Sequence, residues 1–467
     1  VEDGTQAACV FTRECEAGRS RCLDPSTLQT CSADRWVATA CPAGCVQAAS
    51  AAECAPEVPT GQLTATVRYQ YRQANSTLTG WTAALASDAS RNLLVLSYDG
   101  DRLLASTTTA ATGPNAGQFT VRVPDRPDGD EIIYFATLAS DASNRTQYVI
   151  GTPSLTGEIN VSDFLTGRVG GQRWVWIWAR PLAEITQNGT ITITPEQGSG
   201  ALRMWEVLRQ GWEFAHNALS RTTPSSVVLW WAPQATWTCG ACAVDTRATV
   251  AGRTVARQFF MGGGTDEGHW SDPVTAHEYG HIVMSAFGVS PGEGGQHFIG
   301  VPASPGLAWS EGWATAFSAM QRGTGIYYDR QRGSFFWFDI ATRRYPRMTW
   351  RRARPADGLT QLIDENEVAA MIWDIHRTTG PDETIRQLAS PRMTVRPFLR
   401  GYTRRFWESL NSQGLPIPWQ NTGISAPFFP DFADAVVCSG RMTVAQMNAV
   451  TDPTRFYPYD AATALCR

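Results

Sequence analysis

The run His277-Glu278-Tyr279-Gly280-His281 sets two imidazoles four residues apart with a carboxylate between them. On a helix, residues four apart share a face, so both rings reach one point in space. Imidazoles at this spacing are zinc ligands, and the adjoining glutamate is placed to take a proton from water that the metal acidifies. Such a site needs a further protein ligand. Glu311, in Ala308-Trp309-Ser310-Glu311-Gly312-Trp313, is the candidate. The bland alternatives are two structurally satisfied histidines and an exposed helix carboxylate.

These residues need helices to present them. Asp272 suits an N-cap, Pro273 a first turn and Gly288 a stop, which predicts a helix carrying both histidines. Ser304-Pro305 and Gly323 bound a second helix that carries Glu311. Packed antiparallel, the two helices bring Glu311 against the imidazoles.

The set resembles the gluzincin metallopeptidases, in particular the fungalysin and thermolysin-like families. Glu311-Gly312-Trp313 is similar to the fungalysin second helix, and Glu367-Val368-Ala369-Ala370-Met371-Ile372-Trp373-Asp374 to a later helix of those enzymes. The likeness covers roughly residues 200–467. It implies His277, His281 and Glu311 as zinc ligands and Glu278 as general base. Two positions depart from it. Relatives commonly carry Asp four residues after the glutamate ligand to support a histidine; here Thr315 stands there. Relatives also supply a His or Tyr near the start of the later helix to stabilise the oxyanion. Ile363-Asp364-Glu365-Asn366 offers neither. Tyr327, Tyr328, Tyr345, Tyr402 and His376 are the candidate donors, with Tyr327 and Tyr328 expected in a loop after Gly325 and a tyrosine favoured over His376. His297, in a glycine-rich loop, is an alternative third ligand or a residue lining the cleft.

Seven of the eleven cysteines lie in the first 54 residues, which marks a disulfide module from an oxidising compartment. Seven is odd, and Cys9 is the candidate for the unpaired one. Cys239-Gly240-Ala241-Cys242 reads as a short local disulfide, and Cys438 pairs with Cys466 in the expected scheme. Between the module and the helices, short alternating runs such as Ala65, Val67, Tyr69 and Tyr71 predict a β-sandwich. A hairpin is expected around Asp99-Gly100. Trp174, Trp176 and Trp178 would share one strand face, either buried or open for stacking on sugars. The acidic loop from Asp125 to Glu131 reads as a solvated turn, with calcium binding as the sharper alternative. The repeated string LASDAS, at 85–90 and 138–143, would mark a duplicated hairpin or a coincidence.

The 467 residues, at about 150 per domain, make two or three domains. The expected division is a cysteine-rich module (1–56), a β-sandwich accessory or pro-domain (57–195) and a mainly helical α+β zincin-like catalytic domain (196–467). The fold class is thus multidomain. With 43% apolar residues and a formal net charge of −4, the chain has core-forming composition and no bulk charge for nucleic acid. No apolar run is long enough to span a bilayer. The basic residues are all arginine, which fits a GC-rich bacterial genome. The start at Val1 with polar residues reads as a processed mature form. The expectation is a secreted bacterial zinc endopeptidase, monomeric, acting on proteins or peptides. The competing expectation is a surface adhesin or sugar-binding protein with a degenerate catalytic domain.

Overall fold

The computed structural model describes residues 15–466 other than 25, 34, 42–44, 48–50, 55–59, 126–128, 220–223, 292–296, 302, 304, 347–349, 351–363, 390–428, 452–460 and 465. Cys9, Tyr402 and the centre of the acidic loop therefore lie outside the described residues. So does the glycine-rich run that leads to His297.

The N-terminal module is an antiparallel three-stranded sheet, Ser20–Asp24, Thr27–Ser32 and Arg35–Ala40, beside the pair Cys45–Gln47 and Ala52–Cys54. Few of its side chains are buried, so bridges do the work of a core: Cys15–Cys31, Cys22–Cys45 and Cys41–Cys54. Closing loops of 13 to 23 residues stabilises the folded state by roughly 3 kcal/mol per bridge in chain-entropy terms.

Strand Thr60–Tyr71 buries Leu63, Ala65, Val67, Tyr69 and Tyr71 on one face, as its alternation requires. It pairs with Gln118–Pro124, Thr190–Ile193 and Ala86–Ala89. A second four-stranded sheet, in the order Ile177–Pro181, Glu131–Ala136, Leu94–Asp99 and Arg102–Thr108, contains the hairpin at Gly100. The two sheets meet through Phe119 and Phe135, whose rings pack edge-on at 5.6 Å.

A third sheet changes the expected organisation. Its six strands mix both sides of residue 195: Thr146–Pro153 runs parallel to Val227–Trp230, which runs parallel to Arg257–Phe260. All four residues of the central strand Val227–Trp230 are buried, as a strand with parallel neighbours on both sides should be. Cys242–Val244 closes the edge antiparallel, next to the Cys239–Cys242 bridge. Hydrogen bonding is thus continuous across the 195/196 boundary, and one apolar cluster runs from Leu63 to Ala461.

Local expectations also shift. The two LASDAS copies enter different sheets, so they are no duplicated hairpin. The three tryptophans do not share a face. The chain leaves Arg173–Val175 in one sheet and enters Ile177–Pro181 in another. Trp174 is exposed, whereas Trp176 stacks between Trp178 and Trp231. Of the acidic loop, Glu131 is buried and accepts from the Gly129 backbone, which uses it in the turn.

Helices pack on this frame. α1 (Val161–Leu165) is a short connector; α2 (Gly200–Ala218), α3 (Asp272–Phe287), α4 (Pro305–Arg322), α5 (Glu365–Thr379) and α6 (Pro381–Leu388) form the helical side. Ser271, not Asp272, is the N-cap of α3; Asp272 is its first residue, bound by the guanidinium of Arg203. Two glycines set how closely the helices approach. A Cβ at Gly280 would stand 2.9 Å from Ala314 Cα, and one at Gly312 would stand 2.7 Å from Val368 Cβ. The α3–α4 and α4–α5 contacts are close for that reason. The C-terminal segment is tied down by Cys438–Cys466.

Candidate metal centre

His277 and His281 stand one turn apart on α3 and face α4. Each presents Nδ1 to a hydroxyl of that helix: Thr315 Oγ1 lies 3.0 Å from His277, and Ser310 Oγ 3.3 Å from His281. The indole of Trp313 also donates to the Gly280 carbonyl, fixing the two helices in register. With Nδ1–H donating to a hydroxyl, the Nε2 lone pair of each ring is free.

The two Nε2 atoms and Glu311 Oε2 form a triangle with every side 3.1 Å. Tetrahedral zinc with bonds of 2.0–2.1 Å would set its ligand atoms about 3.3 Å apart. Three lone-pair-bearing atoms at this separation repel unless a proton or a cation lies among them, and a nitrogen–nitrogen–carboxylate set suits zinc. The donor set therefore fits the ion. His277, Glu278 and Glu311 are all buried, and His281 is partly so.

The electrostatics are shaped by burial and by this clustering. Burial pushes the Glu278 carboxyl up, and the flanking imidazoles only partly oppose it. Burial acts the same way on Glu311, but His281 and His297 outweigh it and hold that carboxylate well below the usual range.

His297 lies beside the triangle. Its Nδ1 lies 2.7 Å from Glu365 Oε2, and its Nε2 lies 3.5 Å from Glu311 Oε2. His297, Glu311 and Glu365 also form a group with metal-ligating atoms. The two contacts use opposite ring nitrogens, however, so one ion could not take both. The imidazole is hydrogen-bonded to Glu365 through Nδ1, while Nε2 only faces Glu311 at ion-pair distance. Burial disfavours its charge, yet Glu365 and Glu311 prevail and push its pKa up to about 10. Sequence reading left Glu365 without a role, because an acid in the first turn of a helix is ordinary. Ser310 carried no signal at all.

The candidate donors separate clearly. Tyr327 and Tyr328 lie on strand Ile326–Gln331, not in a loop, so they point to opposite faces. Tyr327 stands edge-on to His277, ring centroids 6.1 Å apart, and stacks on Phe338. Tyr328 turns away to Trp81 and Phe335. Tyr345 packs against Phe338. His376 lies at the opposite end of α5 from Glu365, against Trp373.

The family described as the mycolysin C-terminal domain matches residues 230–405. That stretch holds α3, α4 and α5, hence every residue of the triangle together with His297 and Glu365. No curated protein matches the chain. The match spans less than half of the 467 residues and gives the site-bearing segment a likeness to a peptidase domain.

Proposed function

We propose that this chain is a secreted zinc-dependent endopeptidase. The observation that carries the reading is the 3.1 Å triangle of His277 Nε2, His281 Nε2 and Glu311 Oε2, with Glu278 adjoining on the same helix. The likeness of residues 230–405 to a peptidase domain supports it. So do the five disulfides among the described residues, which suit an oxidising compartment.

His277, His281 and Glu311 would hold the ion, and zinc supplies Lewis acidity that acidifies water and polarises a carbonyl. Glu278, buried and poised to accept, takes a proton from the attacking water. The water oxygen bonds to the carbonyl carbon, the carbon–nitrogen bond breaks, and Glu278 returns the proton to the leaving amine. His297 donates to the carbonyl oxygen from the substrate side, with Glu365 fixing its ring. Tyr327 is the tyrosine placed to assist. Thr315 and Ser310 fix the tautomers of the two ligand imidazoles. The substrate is a protein or peptide, and the chain acts as a monomer. Among the described residues, no helix is long and apolar enough to cross a membrane. The adhesin reading loses its stacking platform with Trp176 packed between two other indoles.

A casein zymogram tests the proposal. Clearing should vanish with a chelator and return with added zinc. Clearing that ignores the chelator would contradict it.

A further inference from the structure

A cavity lies on the face of strand Ile326–Gln331 that Tyr328 occupies, opposite to Tyr327 and the metal centre. Its volume is about 550 Å³, within the range of small-molecule sites. It is walled by α2, the start of α3, the end of α4 and the segment after strand Thr60–Tyr71.

Three arginines line it: Arg72, Arg203 and Arg322. Asp272 is the one carboxylate among the described lining residues, and both its oxygens are taken by Arg203. Arg322 is half-buried and bonds only neutral groups: Nε to the Ser318 carbonyl and hydroxyl, Nη2 to the Ile326 carbonyl. Arg72 gives one bond, to the Thr82 carbonyl. Neither has a carboxylate within 4 Å among the described residues. Nη1 of Arg322 has no acceptor there, yet it is not sealed in the interior; it opens to the cavity. Burial pushes the Arg322 guanidinium down although Tyr328 and Asp272 favour its charge. Position at the end of α4 satisfies part of this cation through the helix carbonyls. It does not account for the open Nη1, nor for a second guanidinium in the same wall, which the exposed Glu196 attracts only from beyond ion-pair distance.

Cations taken from water need a counter-charge, and a guanidinium fork matches a planar or tetrahedral oxyanion. Gln73 and Gln210 add amides to the wall, and Trp270 and Tyr328 add ring surface. We propose that this cavity binds a small organic oxyanion, a carboxylate or phosphate, held by Arg322 and Arg72. The site is separate from the metal centre and does not depend on its assignment.

Calorimetric titration of the full chain tests this. The probes are an N-acetylated dipeptide with a free carboxylate, the same dipeptide as its amide, and inorganic phosphate. The titrations are run on the zinc-loaded chain and again with the uncharged chelator phenanthroline, and binding common to both is not read out on zinc. The expected result is saturable binding of the acid or of phosphate, with the amide at least about tenfold weaker than the acid if the acid binds. Which probe binds identifies the oxyanion. Arg322→Gln and Arg72→Gln should each weaken binding about tenfold or more, the loss of a charge-assisted hydrogen bond. If Arg322→Gln fails to fold because α4 loses its last-turn cation, Arg72→Gln, on a different segment, decides. No saturable binding by either oxyanion, or equal binding in a folded variant, overturns the proposal.

Discussion

Thr315 Oγ1 lies 3.0 Å from Nδ1 of His277, one turn beyond Glu311 on α4. A neutral hydroxyl thus occupies the position from which a carboxylate would orient and polarise the ring. Its loss should loosen the ion rather than the fold. Thr315→Val, which keeps the shape and removes the hydroxyl, is expected to weaken zinc affinity about 10- to 100-fold. Competition with a fluorescent chelator measures this, and unchanged affinity would show that Thr315 is merely packed.

Gly280 fixes the distance between α3 and α4. The neighbours that a Cβ would meet are Ala314 Cα at 2.9 Å and Ala314 O at 3.1 Å, backbone that cannot swing aside. Gly280→Ala should cost about 1–3 kcal/mol, the usual cost of overpacking. It should also weaken zinc binding, because Glu311 moves away with its helix. Urea unfolding with and without zinc separates the two effects.

His297 and Glu365 act on the substrate, not the ion, in the account above. His297→Gln should therefore lower kcat about 100-fold and leave zinc content intact. Glu365→Gln keeps the ring's neighbour but removes the charge, and should cost less. A His297 variant that loses its zinc would make this residue a ligand.

His269 gives a pH dependence away from the metal. It packs between Trp231 and Trp270, its Nδ1 sealed without a partner among the described residues, and burial lowers its pKa to about 3. The unfolded chain takes up this proton near pH 6.5, whereas the folded chain resists until about pH 3. Stability is full above 6.5 and falls as pH drops toward 3, by up to about 1.4 kcal/mol per unit. Between pH 7 and 5 the urea midpoint of the wild type should fall, and His269→Gln should flatten that fall.

The helices were legible because their signals are local. Pro273, Gly288, Pro305 and Gly323 bound α3 and α4 within a residue, and the four-residue spacing puts both histidines on one face. The shared sheet was not legible. Thr146–Pro153 reads locally as one more short strand; its parallel partner Val227–Trp230 is far along the chain, and register between them is a tertiary matter. Trp174, Trp176 and Trp178 follow a period of two that the backbone breaks between sheets. Tyr327 and Tyr328 follow Gly325, which suggested a loop, yet Gly325 only precedes a hairpin whose partner is Ser334–Asp339. Glu365 became visible only when His297 was seen against it.

The account stands most directly on Glu278, which adjoins the triangle without belonging to it. Zinc content and casein turnover of purified Glu278→Ala, beside the wild type, form the deciding measurement. The predicted result is one zinc per chain in both proteins, with turnover of the variant lower by roughly a thousandfold or more. A Glu278→Ala protein that binds no zinc, or one that cleaves casein at the wild-type rate, would contradict the account.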